Sequence, residues 1–440
     1  MTAACRPPRR PNILMVIADD QGMNDAGCYG HPLLRTPALD ELAAGGVRMT
    51  HAFCTSPSCS ASRSVILTGL HNHANGQFGH SQPPYNFSTL PTVHSLPAML
   101  GQAGYRTALC GKCHVAPDAV YPFATVINKD YSAGIGMPAD MADACRAVIA
   151  DPGANPFFLV FAMREPHRPF WLREQSRWRP EQVIVPSFLP DSPECRAELA
   201  EYYASVEQAD TGLARLIHIL KETGHWDDTL VLYLSDNGIA FTGAKTNLYE
   251  PGIRLPLVVR NPFQEQHGHA CAAMVSFTDL TPTILDFAQV PLPDGVVLHG
   301  RSFLAALHAE APAGWDEVYA SHSFHEVQMY YPMRALRERR LKLIWNIAHP
   351  LTFPAAADLY HSQTWQAVLR DHAAFFGPRS VEAYLHRPAW ELYDLETDPD
   401  EVRNLANNPH YQAALVRMQN KLRAFMEQTN DPWMTKWTYE

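Results

Sequence analysis

Two periods organise the apolar positions of the chain. Asn12–Ala18 (NILMVIA) is an unbroken apolar run, the pattern of a strand covered on both faces, and it stops at Asp19-Asp20. Similar runs recur at 106–110, Phe157–Ala162, 229–234 and 257–260. Helical patterns lie between them. Thr36 as N-cap, Pro37 at the first helical position and Gly45-Gly46 as a stop predict a helix over Pro37–Ala44. Another is expected from Cys59 to Leu67, closed by Thr68-Gly69, with further helices over 194–223 and 281–288. Buried strands alternating with helices predict an α/β fold whose large sheet is mixed, mostly parallel and sandwiched by helices.

The register changes near residue 310. Shorter strands are expected at 318–321, Leu341–Asn346 and 390–395, followed by an amphipathic helix over 409–428. This predicts a catalytic-sized domain over 10–310 and a smaller α+β domain, built on an antiparallel sheet, over 311–440.

Composition bounds the function. The 440 residues are 46% hydrophobic and 18% charged, enough to bury a large core, and 35 basic against 45 acidic side chains leave a net charge of −10. That balance, without a Lys/Arg-rich run, argues against nucleic acid or an anionic membrane as partner. No apolar stretch of about 18 residues or more occurs, and no apolar segment precedes the first strand, so a cytoplasmic location is expected. Nine cysteines, an odd number scattered through a long chain, fit reduced thiols.

Open α/β sheets bind ligands beyond the carboxyl ends of their strands. Four such ends carry polar clusters: Asp19-Asp20, Gly111-Lys112-Cys113-His114, Arg164-Glu165-Pro166-His167 and Ser235-Asp236-Asn237-Gly238. Three carboxylates and an amide offer only oxygen donors, which suits a hard cation, Ca²⁺ or Mg²⁺. Taken singly, Asp-Asp is ordinarily a turn or cap, Asp-Asn-Gly a tight turn, and each His a hydrogen-bonded structural residue. Cys110 and Cys113 have the spacing of a redox or zinc pair, but no second such pair accompanies them.

The segment Cys59-Ser60-Ala61-Ser62-Arg63, continued by Leu67-Thr68-Gly69, resembles the signature of the sulfatase family, in which the cysteine becomes formylglycine. The other four clusters follow the family order. The stretches HVAPDAVYPF, KTNLYEPG, SFHEVQMYYPMR and WELYDLETDPDEVRNLA extend the resemblance over about residues 10–434, toward the sulfamidase (heparan N-sulfatase) branch.

The resemblance implies an alkaline-phosphatase-like fold and a sulfohydrolase acting on the N-sulfate of glucosamine in small sulfated sugars or short heparan fragments. An O-sulfatase or a phosphonate or phosphate monoester hydrolase is the alternative on the same scaffold. It implies Ca²⁺, with Mg²⁺ as alternative, held by Asp19, Asp20, Asp236 and Asn237 beside the modified Cys59. Arg63 would orient that residue, Lys112 and Lys245 would clamp sulfate, and His114 and His167 would handle protons. One hydroxyl of the hydrated aldehyde would attack sulfur and the other would later expel sulfate. The implied partners are a formylglycine-generating maturase and, as is common in the family, a second copy of the chain. Ala61 replaces the proline of many relatives, and Lys245 stands where the sulfamidase branch carries arginine. Tyr249, Glu250, His325, Glu326 and Arg334 are candidate sugar contacts; Trp171 is assigned to packing.

Overall fold

A computed structural model describes residues 10–153, 155–170 and 176–439; Trp171 lies outside them. The strands in chain order are β1 (Asn12–Ala18), β2 (Val47–Phe53), β3 (Arg106–Gly111), β4 (Thr125–Ile127), β5 (Phe157–Ala162), β6 (Thr229–Ser235), β7 (Arg254–Arg260) and β8 (His269–Ser276). They form one sheet in the order β4-β3-β5-β1-β6-β7-β2-β8, in which β7 alone runs against its neighbours.

Alternation along β1 shows why the sheet is buried on both sides. Ile13, Met15 and Ile17 enter one apolar cluster, and Leu14, Val16 and Ala18 enter the other, all at most 2% exposed. The second face is covered by helices α1 (Pro37–Ala44) and Pro193–Glu222, and the first by α2 (Cys59–Thr68) and Leu280–Phe287. Each fully buried Leu, Ile or Met contributes roughly 1.5–3 kcal/mol. Thr36 does not cap α1 with its side chain; Asp210 of the long helix accepts from Ala38 N (3.0 Å) and Leu39 N (2.9 Å) instead. Gly69 ends α2 in the left-handed conformation, φ 68°, its N–H bonded to Val65.

Strands β9 (Glu317–His322), β10 (Met333–Glu338), β11 (Leu341–Asn346) and β14 (Trp390–Asp394) make an antiparallel sheet in the order β14-β11-β10-β9; β12 (Phe375–Phe376) and β13 (Arg379–Ser380) form a separate ribbon. One face of the small sheet, with Ala320, Met333, Ala335 and Ile344, continues the core of the large sheet. Its other face packs Leu336, Leu343 and Leu392 under Leu415, Met418, Leu422 and Met426 of the helix Gln412–Gln428. No helix among the described residues is long and apolar enough to cross a membrane.

Candidate active site

Strand register brings the four polar clusters together. In the order β3-β5-β1-β6, four adjacent parallel strands end level: Gly111 pairs with Ala162, Ile17 with Ala162, and Ala18 with Ser235. The bonds Lys112 N to Ala162 O (2.9 Å), Met163 N to Ile17 O (2.9 Å) and Asp236 N to Ala18 O (3.1 Å) carry the ladder one step further. Asp19, Lys112 and Asp236 therefore leave the sheet on one line, and Asp20 follows at φ 68°. A non-glycine residue in the left-handed region is uncommon, and three at this site, Asp20, His114 (φ 53°) and Thr246 (φ 65°), are the strained backbone often found where chemistry is done.

Cys59 enters from above this line as the first residue of α2. Its Sγ lies 3.5 Å from Asp19 Oδ1 and 3.9 Å from Asp20 Oδ1, fully buried. Ser58 precedes it without capping the helix; its hydroxyl lies 2.9 Å from His325 Nδ1. The first N–H groups of α2 are thus free of a side-chain cap and favour negative charge at position 59. Burial pushes the Cys59 thiol well above its usual range, against Lys112 and Lys245, which pull it down. A protonated, buried thiol is a poor nucleophile.

Arg63, one turn on, donates from Nε to Asp236 Oδ2 (2.8 Å) and from Nη1 to Lys112 O (3.1 Å); its Nη2, 3.8 Å from Asp19, has no hydrogen-bond acceptor among the described residues. Lys112 donates to Asp19, and Lys245 Nζ to Asp20 Oδ2 (2.9 Å) and Asp358 Oδ2 (2.8 Å). His167 Nε2 is 3.2 Å from Lys245 Nζ, while its Nδ1 faces the Arg168 carbonyl. Nδ1 therefore carries the hydrogen, and Nε2 offers its lone pair to the lysine. Burial first, then Lys245, keeps His167 below its usual pKa. His114 faces Gln82 through Nε2 and stacks on His80, with ring centres 4.7 Å apart.

The donor set fits a divalent cation. One ligand atom each from Asp19, Asp20, Cys59 and His167 falls within 4.8 Å of the others. Asn237 donates to Asp20 Oδ1 (2.6 Å), but its own Oδ1 is buried without a partner among the described residues. Burial, then Asp19, pushes the Asp236 carboxyl up to about 7, so the carboxylates as packed call for additional positive charge. Asp19 is held well below the usual range despite its burial by Lys112, His167, Arg63 and Lys245.

The candidate sugar contacts are placed differently. Arg334 is turned away: Nε and Nη2 both bond Asp431, the latter at 3.0 Å, and the guanidinium lies over Trp433. A sugar contact by Arg334 is corrected to a structural ion pair, because both forks of the guanidinium are already bonded in the interior. Tyr249 is also interior, its hydroxyl on Glu391 (2.9 Å) and its ring under Arg379. Glu250 joins the two sheets through Lys342 (2.9 Å) and Arg337 (3.0 Å). It borders a cavity of about 480 Å³, lined also by His31, Tyr203 and Arg254, that contains none of the groups around Cys59. His325 and Glu326 lie in the loop between β9 and β10, not on a strand. His325 is buried between Ser58 and His80, with 3.0 Å between the two Nε2 atoms, and Glu326 accepts from Gln328 (2.6 Å). Sequence reasoning missed Asp358, His80 and Gln82, none of which sits in a recognisable motif.

Comparison with known proteins gives a consistent picture. Residues 11–290 match the model of the family described as Sulfatase, and residues 243–362 match N-sulphoglucosamine sulphohydrolase, C-terminal. The chain is 36% identical to N-sulphoglucosamine sulphohydrolase of Homo sapiens over 98% of its own length and 92% of the relative's. It is 27% identical to an ulvan-active sulfatase of Formosa agariphila over 96% and 81%. Among solved structures, a protein in complex with its substrate D-glucosamine-2-N,6-O-disulfate aligns at TM-score 0.71 and 20% identity over 96% and 98% of the two chains. The phosphonate monoester hydrolase of Agrobacterium radiobacter aligns at 0.75 and 19% over 96% of each. At such identities the structural likeness concerns the fold.

Proposed function

The chain belongs to the sulfatase family, and from that premise we propose that it is a formylglycine-dependent sulfohydrolase that removes the N-linked sulfate from N-sulfoglucosamine, at the end of heparan-type fragments, leaving sulfate and the free amine. The observation that carries the chemistry is Cys59 at the N-terminus of α2, 3.5 Å from Asp19 and amid Arg63, Lys112 and Lys245. The choice of N-sulfoglucosamine rests on the 36% identical human relative, matched over nearly the whole chain.

Asp19, Asp20, Asp236 and Asn237 would hold Ca²⁺, whose preference for many oxygen donors matches three carboxylates and an amide. Formylglycine, were Cys59 so modified, would supply an aldehyde hydrate as the nucleophile toward sulfur and as the means of later releasing sulfate. The remaining work falls to the chain. Lys112 and Lys245 bind the non-bridging oxygens, and Arg63, fixed by Asp236, holds its Nη2 3.8 Å from Asp19 beside the same region. Such fixed charges need no reorganisation as the sulfuryl group moves. His167 Nε2, which accepts from the Lys245 ammonium, passes a proton from it to the leaving nitrogen, a step an amine requires more than an alcohol does. His114, paired with Gln82, serves the release of sulfate. The maturase would read Cys59, Ala61 and Arg63.

Incubation of the mature protein with N-sulfoglucosamine, glucosamine-6-O-sulfate and a phosphonate monoester tests this. Sulfate and free glucosamine are expected fastest from the first. Release from the O-sulfate or the phosphonate alone would replace the reading with the corresponding hydrolase.

A further inference from the structure

The mouth of the site contains a carboxylate that sulfate binding does not explain. Asp358 lies on a short segment, Ala357–Tyr360, beyond the small sheet's β11, yet its Oδ2 is 2.8 Å from Lys245 Nζ and 4.0 Å from His167 Nε2. The Asp358 side chain is 21% exposed, whereas those of Asp20 and Lys245 are at most 1% exposed. Together with His167, at 23%, it is the part of this polar cluster that faces outward. Two of its lone-pair positions are used, Oδ1 by Leu359 N (2.9 Å) and Oδ2 by Lys245. An ionised carboxylate has about four, so the others have no hydrogen-bond partner among the described residues.

An anionic substrate is repelled by a carboxylate unless it brings a donor. The bridging oxygen of a sulfate ester has only lone pairs. The bridging nitrogen of a sulfamate carries N–H, and when the S–N bond breaks, its electron pair stays on nitrogen, which takes the proton from His167 and leaves as an amine able to become ammonium. Donor and positive charge arise at the atom nearest His167, where Asp358 stands.

Building on the N-sulfoglucosamine reading, we propose that Asp358 is the specificity-determining residue that accepts the hydrogen bond of the substrate's nitrogen and so selects N-sulfate over O-sulfate. A site with a fixed acceptor for N–H discriminates against an analogue without one, because the ester oxygen's lone pairs would then face the carboxylate with no hydrogen between them.

The test is product inhibition, in wild type and in Asp358→Asn and Asp358→Ala whose formylglycine content has been checked by mass spectrometry. Free glucosamine is expected to inhibit the wild type at least about tenfold better than glucose, and both variants should erase that difference while changing inhibition by inorganic sulfate less than about threefold. Equal weakening of sulfate and glucosamine would overturn the proposal, because Asp358 would then only position Lys245. Equal inhibition by glucosamine and glucose in the wild type would overturn it without any variant. Turnover of N-sulfoglucosamine is read separately: a wild type that prefers glucosamine but leaves N-sulfate intact would sink the functional reading, and one that cleaves N-sulfate without preferring glucosamine would sink this inference alone.

Discussion

Arg63 Nε and Asp236 Oδ2 are 2.8 Å apart, and both side chains are at most 2% exposed. Because Nη1 is also tied to the Lys112 carbonyl, the guanidinium is locked in one plane. Arg63→Lys keeps the charge but not the fork, so turnover should fall about 100-fold or more. Arg63→Ala leaves Asp236 buried and unpaired and should cost about 3–5 kcal/mol of stability. Steady-state rates and denaturant melts check the two; an active Arg63→Lys enzyme would remove Arg63 from the machinery.

Cys59→Ala should abolish sulfate release while leaving the fold intact, and Cys59→Ser should do the same in a host whose maturase accepts only cysteine. The peptide spanning residue 59 from active protein should carry an aldehyde in place of the thiol. An active preparation whose Cys59 is wholly unmodified would refute the mechanism, since the thiol here is kept protonated by burial.

Chelation should lower the melting temperature, and Ca²⁺ should restore it. A cation at a hundred times its Kd adds about 2.7 kcal/mol to the native state. Asp236→Asn and Asn237→Ala should each lose most of that response. An equal melting temperature with and without Ca²⁺ would dismiss the cation site.

The Arg334–Asp431 pair fixes the C-terminal segment to the small sheet, and it predicts an acid limb. Burial raises the Asp431 carboxyl, but Arg334 and then His73 outweigh this and hold it below the usual range. A depressed folded pKa contributes stability that is present above the unfolded value of about 3.9 and lost as pH falls through the folded one. Asp431→Asn should therefore be less stable than wild type at pH 7, with the gap narrowing below about pH 4. Melts across pH 2–7 check it; a gap constant with pH would show that the pair titrates no differently in the two states.

Strands β1, β5 and β11, defined by hydrophobic pattern, and α1, read from its flanking Pro37 and Gly45-Gly46, occupy the positions read from sequence. Strand β10 was not legible, because its residues Arg334 and Arg337 look solvent-exposed but are buried on Asp431 and Glu250. Strands β2 and β8 were hidden for related reasons: β2 mixes Arg48, Thr50 and His51 with apolar residues, and β8 is rich in alanine, a weak strand former. Around Cys59 the strand ends were legible because the parallel register sets them level. Asp358, His80 and Gln82 reach the site by long-range chain folding, which no local pattern encodes.

Four carboxylates, Asp19, Asp20, Asp236 and Asp358, stand against three fixed cations, Arg63, Lys112 and Lys245. Fully ionised, this constellation is negative by one unit and on its own rejects a sulfate-bearing sugar. A divalent ion reverses the sign, and a monoanionic ligand then brings it to neutrality. With a cation held there as proposed, metal and substrate would be thermodynamic partners: each would tighten the other's binding by the same factor, as linkage requires. The concentration of free cation in the surroundings would then set the apparent substrate affinity, making the enzyme a reader of its ionic environment as well as of sulfated sugars.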